Sequence, residues 1–401
     1  MIRPMSDNDS RVVIPAPMLG YKCNLQGCCC KGWGIPFKPS GLVRLAEALE
    51  EPERSERLGW GLRVVVDQED ETLEYFHLER VPPDDSCRFL EKEGGCEMHR
   101  RFGTDALPDL CINFPSIAYE TGEEVELHWD TVCPAVLDVL ANTDTPYLAQ
   151  TLDQGERPDL AIRARAPIDR PSLRLGDVEL KWPNLAHVRD VVLESLLDLE
   201  RPTIEHLSAI SWSFDRLRVS GNFKEFAIEY GDPIEPFFDF LELSAGANAP
   251  RLLAWRWQRY KRFVFDFDRD HNGLDNLEAY LINWSEPLEK WMVDAEPMLR
   301  PLLNRFLAHR YFSVFVRSQG RARFTWGSVP HAYALAIRTA AALSGCLERP
   351  TDLGIMKAAL GFADYHYRGL RVPPDALPWF TPLSAPEAEA SEHEAAEIEL
   401  M

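Results

Sequence analysis

Eight of the nine cysteines in this 401-residue chain lie between positions 23 and 133, and this clustering constrains the fold more than any other feature. They are Cys23, Cys28, Cys29, Cys30, Cys87, Cys96, Cys111 and Cys133. The first residues are polar and lack the apolar core of a secretory signal, so we expect a cytoplasmic protein. Disulfides are rare in that reducing compartment, and metal ligation or thiol chemistry is the expected use of the cysteines.

Thiolates are preferred ligands of zinc and of iron–sulfur clusters, and each such site commonly takes four of them. Eight thiols can therefore fill two sites, and we take all eight as candidate metal ligands. Buried thiols without metal are the alternative, but three consecutive ones would then be an oxidation liability. Side chains alternate along an extended segment, so Cys29 points away from Cys28 and Cys30 and is a candidate for a second site, a substitutable position or an uncoordinated thiol. His99, three residues after Cys96, is a candidate ligand or hydrogen-bond donor to one, against an ordinary structural role.

Patterns of apolar residues predict an α-rich α+β fold, in which a loop-rich cysteine-cluster domain with small β-hairpins precedes a helical domain. We assign residues 1–150 to the cysteine-cluster metal-binding domain, 151–383 to a mainly helical domain and 384–401 to a disordered acidic tail. In the first domain we expect a helix at 42–50 and strands at 12–14, 62–66, 73–78, 116–119 and 125–129. Apolar spacing predicts helices in the second at 187–199, 234–243, 252–265, 277–292, 298–316, 329–347 and 354–367.

Charge and hydropathy exclude two classes of partner. The chain has 43 basic and 64 acidic residues, a net charge of −21 that would repel a phosphate backbone, so nucleic acid is not expected to bind. Its most apolar stretch, near 332–343, contains Arg338 and is shorter than a membrane-spanning helix, so no membrane insertion is expected.

Five motifs in order resemble a known family. They are Tyr21-Lys22-Cys23 with Gly27-Cys28-Cys29-Cys30-Lys31-Gly32-Trp33-Gly34-Ile35; Cys87-Arg88-Phe89-Leu90; Gly95-Cys96; Leu107-Pro108 with Cys111-Ile112-Asn113-Phe114-Pro115; and Val132-Cys133-Pro134. Together they resemble the zinc- or iron-chelating cysteine-cluster proteins, and especially the flagellin lysine-N-methylase branch of that family. The resemblance spans about residues 18 to 142.

The resemblance implies a function as well as a metal. It implies a zinc ion or a 4Fe–4S iron–sulfur cluster, S-adenosylmethionine as methyl donor, and transfer of the methyl group to a lysine of a flagellin-like protein substrate. No glycine-rich nucleotide-binding fingerprint supports donor binding independently. Tyr119, Asp84, Asp85 and Asp130 are available as a base, but we assign no catalytic or cofactor-binding residue.

Two other functions are compatible with the same cysteines. In one, zinc or an iron–sulfur centre staples a non-catalytic protein-interaction module. In the other, the centre carries electrons or senses redox state.

Overall fold

The computed structural model describes residues 11–23, 27, 30, 36–37, 39–59, 62–66, 73–78, 81, 86–91, 94–120, 124–152, 165–167, 172–175, 178–181, 184–230, 257, 260, 294–317 and 328–367. Over these residues the fold is α+β and α-rich, as predicted. The helices predicted at 234–243 and 277–292, most of the one at 252–265, and the acidic tail lie outside the described residues.

The described strands, numbered in chain order, are β1 (Arg11–Pro15), β2 (Pro36–Phe37), β3 (Leu62–Val66), β4 (Leu73–Leu78), β5 (Ser116–Glu120), β6 (Glu124–Trp129), β7 (Ala149–Leu152), β8 (Arg165–Pro167), β9 (Ser172–Leu175) and β10 (Val178–Lys181). The strands β1 and β3 to β6 confirm the predicted ones. The strands β7 to β10 were not predicted, because strands of three or four residues are too short to show a clear alternation.

The described helices are α1 (Pro39–Ala48), α2 (Glu53–Leu58), α3 (Glu97–Phe102), α4 (Asp109–Asn113), α5 (Pro134–Asn142), α6 (Asn184–Ser195), α7 (Thr203–Ser220), α8 (Glu296–Arg317), α9 (Ser328–Leu347) and α10 (Leu353–Tyr367). Short 3-10 turns occupy Ala16–Gly20, Thr104–Ala106 and Phe223–Glu225. Within this described part of the chain, no helix is both long and apolar enough to cross a membrane.

The largest sheet has five strands in the order β7-β1-β6-β5-β8. The hairpin β5–β6 is antiparallel, with Ser116 opposite Trp129, whereas β1 pairs with β6 in parallel. The other sheets are small: β2-β4-β3 and the pair β10-β9. The central position of β6 explains its burial, since neighbouring strands flank it and helices cover it.

A main hydrophobic core joins the five-stranded sheet to the C-terminal helices. It includes Val12 to Ile14 of β1, Val136 of α5, and much of α6 to α10. Helix α9 is buried on nearly all sides, with Tyr333, Leu335 and Ile337 inaccessible to solvent. This core crosses residue 150, and the division into two domains there stays a prediction.

A separate small core holds the cysteine-rich loops together. Its eight buried members are Leu45, Leu49, Leu58, Leu78, Phe89, Met98, Ala106 and Leu107. They come from α1 and the residue after it, from α2, β4 and α3, and from the loops around α3. Three cysteines, Cys87, Cys96 and Cys111, pack against this small core.

A buried ionic group connects β6 to α6. Glu126 accepts a hydrogen bond from the Arg189 guanidinium, and its second oxygen lies 3.2 Å from His128 Nε2. Arg189 also pairs with Asp190 at 3.2 Å and lies over the Phe312 ring, 4.7 Å from its centroid. Burial alone would raise the pKa of Glu126, but Arg189 and His128 outweigh it and hold that pKa below its ordinary value. The carboxylate is therefore charged and compensated inside the core.

Replacing Arg189→Met should destabilise the fold by about 3–5 kcal/mol near neutral pH, since Glu126 would stay buried without its counter-charge. In the parent protein the folded pKa of Glu126 is depressed, so its contribution is present above the unfolded pKa and is lost as pH falls through the folded pKa. In the variant burial dominates and raises that pKa, and the destabilisation should shrink as the solution is acidified. Urea unfolding at about pH 8 and about pH 5 measures both effects.

The matched control is Arg216→Met, which removes an exposed pair with Glu229. We expect it to cost less than about 1 kcal/mol and to show no such pH dependence. An Arg189→Met destabilisation that is the same at both pH values would contradict this account of Glu126.

Candidate metal centre

A tight loop places Cys87 near Cys96. Residues Leu90 and Cys96 form an antiparallel bridge, and the Glu97 amide donates to the Phe89 carbonyl at 2.9 Å. The chain reverses through Gly94 and Gly95, whose φ angles of 91° and 87° lie in the left-handed region that glycine tolerates. These backbone hydrogen bonds hold the two ends of the loop together.

Helix α2 anchors this loop to the small core. Arg57 donates from Nη1 to the Arg88 carbonyl at 2.8 Å and pairs through Nη2 with Glu97 at 3.2 Å. Its guanidinium also lies 5.8 Å from the centroid of the Phe89 ring, which is buried. The position of the loop is thus set by packing and by a cation from another element.

Cys30 joins the loop from a distant part of the sequence. The Cys87 amide donates to the Cys30 carbonyl at 2.6 Å, and the Cys30 and Cys96 thiols form a hydrogen bond. Gly27 fits against the same loop, because a Cβ there would lie 2.5 Å from Leu90 Cδ1 and 3.3 Å from the Gly95 nitrogen. The structure therefore brings Cys30, Cys87 and Cys96 into one neighbourhood.

Cys96 lies at the N-terminal boundary of α3, where backbone amides are available to its sulfur. The pKa of its thiol is lowered to about 7, chiefly by the hydrogen bond with Cys30 and further by the amides of His99 and Met98, although burial opposes the shift. Thiolate is the form that binds metals, so this environment is suited to a ligand. His99 is partly buried in α3, and its described contribution is this backbone amide.

Cys111 lies in α4 and contacts the same small core. It is partly buried and packs against the small core, as Cys87 and Cys96 do. Three described cysteines, Cys87, Cys96 and Cys111, therefore pack against this one cluster of apolar residues, and Cys30 is hydrogen-bonded to two of them. Four thiols are the number that zinc and iron–sulfur sites use.

Cys133 occupies a different environment. It is buried in the main core at the start of α5, and its sulfur lies 3.8 Å from the Tyr21 hydroxyl. Tyr21 is two residues before Cys23, which is exposed. No contact of Cys133 with Cys30, Cys87, Cys96 or Cys111 is among the described ones, whereas Cys30 contacts Cys87 and Cys96.

The segment from Cys111 to Ser116 contacts both cores. Cys111 packs against the small core, whereas Phe114 packs against the main core. The Pro115 carbonyl then accepts the Asp130 amide at 3.0 Å, three residues before Cys133. The short stretch from Cys111 to Asp130 thus links the small core to the main core that holds Cys133.

The donor chemistry of these residues fits zinc or an iron–sulfur cluster, because thiolates are soft ligands. Across the described residues, however, no three His, Cys, Asp or Glu side chains are arranged to hold a metal ion, and no described cysteine is in a disulfide. Two of the eight predicted ligands, Cys28 and Cys29, lie outside the described residues. The eight-ligand set stays a prediction.

Of the four residues considered as a base, the structure describes the side chain of Asp130 alone. Asp130 is buried, and its Oδ1 accepts the Val132 amide at 3.1 Å, which fits a turn-forming role. Tyr119 lies in β5 opposite Glu126. Asp84 and Asp85 lie outside the described residues. We therefore assign no base.

Sequence reasoning missed the polar residues that surround the Cys133 turn. Thr131, His309 and Asp364 are all buried, and each contributes to a hydrogen bond described below. A histidine or an aspartate inside an otherwise apolar helical pattern is a signal that could have identified them, because buried polar groups need partners. Their partners are far away in the sequence and are visible only in the fold.

A scan against family models found none that matches the chain, and searches of curated proteins and of solved structures found no match. The family resemblance therefore depends on the cysteine motifs alone.

Substituting Gly27→Ala should open the loop around Cys30. The new methyl group would overlap Leu90 and strain a backbone with φ of 72°, at a cost of about 1–3 kcal/mol. Cys30 is only 4% exposed, so its alkylation by iodoacetamide should accelerate about five- to 150-fold for such a cost. Mass spectrometry of peptides from briefly labelled native protein measures the rate.

Gly20→Ala is the control, because nothing lies within 4 Å of a Cβ at Gly20, and it should leave the rate unchanged. The double variant Gly27→Ala with Leu90→Ala should recover part of the protection. If Gly27→Ala alone labels at the parental rate, the described contact between Gly27 and Leu90 is wrong.

Proposed function

We propose that this protein is a metalloprotein whose N-terminal cysteines bind zinc or an iron–sulfur cluster. The observation that carries the proposal is that Cys30, distant in sequence, shares a thiol hydrogen bond with Cys96 and a backbone hydrogen bond with Cys87, beside a small core that also contacts Cys111. Thiolates are the donors that both kinds of centre use.

The small core supplies a physical reason for a metal. Eight buried residues from short helices and loops bury little apolar surface, and small units of this kind commonly need a staple. Metal–thiolate bonds formed only in the folded state contribute their binding free energy to folding. A metal held by cysteines of the 23–30 and 87–111 segments would stabilise the loops that carry them.

The activity that we propose is methyl transfer from S-adenosylmethionine to a lysine of a protein substrate, and its support is the resemblance of the cysteine motifs to the flagellin lysine-N-methylase branch. The neutral lysine nitrogen attacks the methyl carbon of the sulfonium, the N–C bond forms, and the S–C bond breaks. The products are methyl-lysine in its ammonium form and S-adenosylhomocysteine, and the one proton that must pass to a base or to water leaves before the attack. Because the lysine pKa is ordinarily about 10.4, removal of a proton from the ammonium must precede attack.

Thiolate chemistry and net charge also lead us to propose a cellular compartment and a kind of partner. Thiolate ligands persist in a reducing compartment, so we propose that the protein acts in the cytoplasm. A net charge of −21 favours a lysine-bearing protein partner, such as a flagellin-like substrate, by charge complementarity.

Metal analysis tests the first proposal. Protein purified without oxygen should contain zinc without acid-labile sulfide, or iron with a matching amount of sulfide. Cys96→Ser and Cys111→Ser should each lose most of this content, because removing one thiolate leaves the coordination incomplete. Elemental analysis and a sulfide assay make the measurement.

Cys346→Ser is the matched control. Cys346 lies in α9, outside the clustered region, and burial raises the pKa of its thiol to about 11. We expect parental metal content in this variant. Parent protein with neither zinc nor iron would overturn the metal-centre proposal.

A labelled-methyl assay tests the activity. Metal-loaded protein incubated with methyl-labelled S-adenosylmethionine and a flagellin-like protein should transfer label to lysine, located by mass spectrometry of the substrate. A substrate whose lysines are replaced by arginine should receive none, because arginine stays protonated and does not attack the sulfonium.

Failure of this assay with fully loaded protein would contradict methyl transfer and leave the metal centre intact. In that event, reversible reduction of the centre would indicate electron transfer. A redox-inert centre whose removal unfolds the protein would instead indicate a structural or protein-interaction module.

A further inference from the structure

The turn between β6 and α5 is polar, buried and held by its own backbone. Residues 129–133 are each no more than 2% exposed. The Cys133 amide donates to the Asp130 carbonyl at 3.0 Å, and the Asp130 side chain accepts the Val132 amide at 3.1 Å. These bonds fix the direction in which the chain enters α5 at Cys133.

Helix α8 contacts the first residue of this turn through a histidine. His309 Nε2 lies 2.7 Å from the Trp129 carbonyl, and its Nδ1 lies 2.7 Å from the Tyr147 hydroxyl. A carbonyl only accepts, so Nε2 carries the proton. The pKa of Tyr147 is raised well above its ordinary value by burial, so its hydroxyl keeps a proton to donate to Nδ1. Both ring nitrogens are therefore satisfied, and the ring orientation is fixed.

Helices α8 and α10 contact the centre of the turn through a buried ion pair. The Thr131 hydroxyl donates to the Asp364 carboxylate, which pairs with the Arg310 guanidinium. Thr131 and Asp364 are 0% and 2% exposed, so neither can exchange this partner for water. A buried carboxylate with a matching cation and a hydroxyl donor is held in one orientation.

We infer that this network, made of Thr131, His309, Arg310 and Asp364, positions the Cys133 sulfur as a metal ligand, an inference that rests on the proposed metal centre. The network holds both the start and the middle of the turn that ends at Cys133. On its other side the Cys133 sulfur faces Tyr21, two residues before the candidate ligand Cys23. The C-terminal helices thereby control the geometry of a ligand in the N-terminal region.

Residues that orient a ligand without touching the metal commonly change metal affinity by about 10–100-fold when they are replaced. Thr131→Val keeps the shape of the side chain and removes the hydroxyl. We expect it to weaken metal binding by about 10–100-fold and to shift the thiolate-to-metal absorption bands of the cobalt-substituted or iron-containing protein. Thr131→Ser restores the hydroxyl and should restore both affinity and spectrum.

The matched control is Thr203→Val. Thr203 is also fully buried, and its hydroxyl oxygen lies 3.0 Å from a carboxylate oxygen of Glu296 and 2.8 Å from Asn304 Oδ1, with one proton to donate between them. This second threonine lies in α7, away from the Cys133 turn. We expect Thr203→Val to lower the urea midpoint comparably while leaving the metal affinity and the absorption bands unchanged.

Chelator competition, absorption spectra and the rate of Cys133 alkylation in metal-stripped protein are the measurements. Faster Cys133 labelling in Thr131→Val than in Thr203→Val supports the inference, since it reports the turn directly. If Thr131→Val retains parental affinity and spectrum, the network is only structural and the inference fails while the metal centre stands. Parent protein that binds neither zinc nor iron overturns both. If Thr131→Val does not fold, His309→Gln carries the same expectation.

Discussion

Burial of strand β6 and of the turn that follows it is the constraint on which the rest of the structure depends. A strand flanked on both sides and covered by helices exchanges no hydrogen bonds with water, yet β6 carries Glu126 and His128, and its turn carries Asp130 and Thr131. Each polar group needs a protein partner, because burying it without one costs several kcal/mol. Glu126 has its partner on α6, Thr131 on α10 and the Trp129 carbonyl on α8, and all three helices lie far away in the sequence.

The consequence is that the sheet and the C-terminal helices share one core. Arg189, in α6, neutralises the charge of Glu126 in β6, and Asp364, in α10, accepts a hydrogen bond from the Thr131 hydroxyl. Ion pairs of this kind are weak sources of net stability, since desolvation offsets much of their attraction. Their effect is specificity: an alternative packing of these helices would leave charges without partners. The turn that these partners hold ends at Cys133, so the same contacts also fix the position of Cys133 at the start of α5.

Different interactions hold the cysteine-rich loops in place. Their small core is supplemented by Arg57, by glycines that permit a sharp reversal, and by thiols that contact each other. A site assembled on loops is set less firmly than one assembled on helices or strands, because fewer packed neighbours hold each side chain. In the proposed centre, Cys133 would be the ligand held firmly by the main core, and the cysteines on the loops would be held less firmly.

The sequence by itself determined the local elements. Alternation predicted β1, β3, β4 and the β5–β6 hairpin, and apolar spacing predicted α6, α8, α9 and α10, because these patterns report which side of an element is buried. It missed α7, in which buried polar residues such as Thr203, His206 and Ser213 interrupt the apolar spacing. Clustering of cysteines in sequence predicted a shared metal site, which stays a prediction beside the described contact between Cys30 and Cys96. Only the tertiary structure decided that β1 lies parallel to β6, that Cys133 faces Tyr21 while Cys30 faces Cys96, and that α8 and α10 hold the Cys133 turn. Such pairings depend on which distant groups satisfy one another once water is excluded, and no local pattern records that choice.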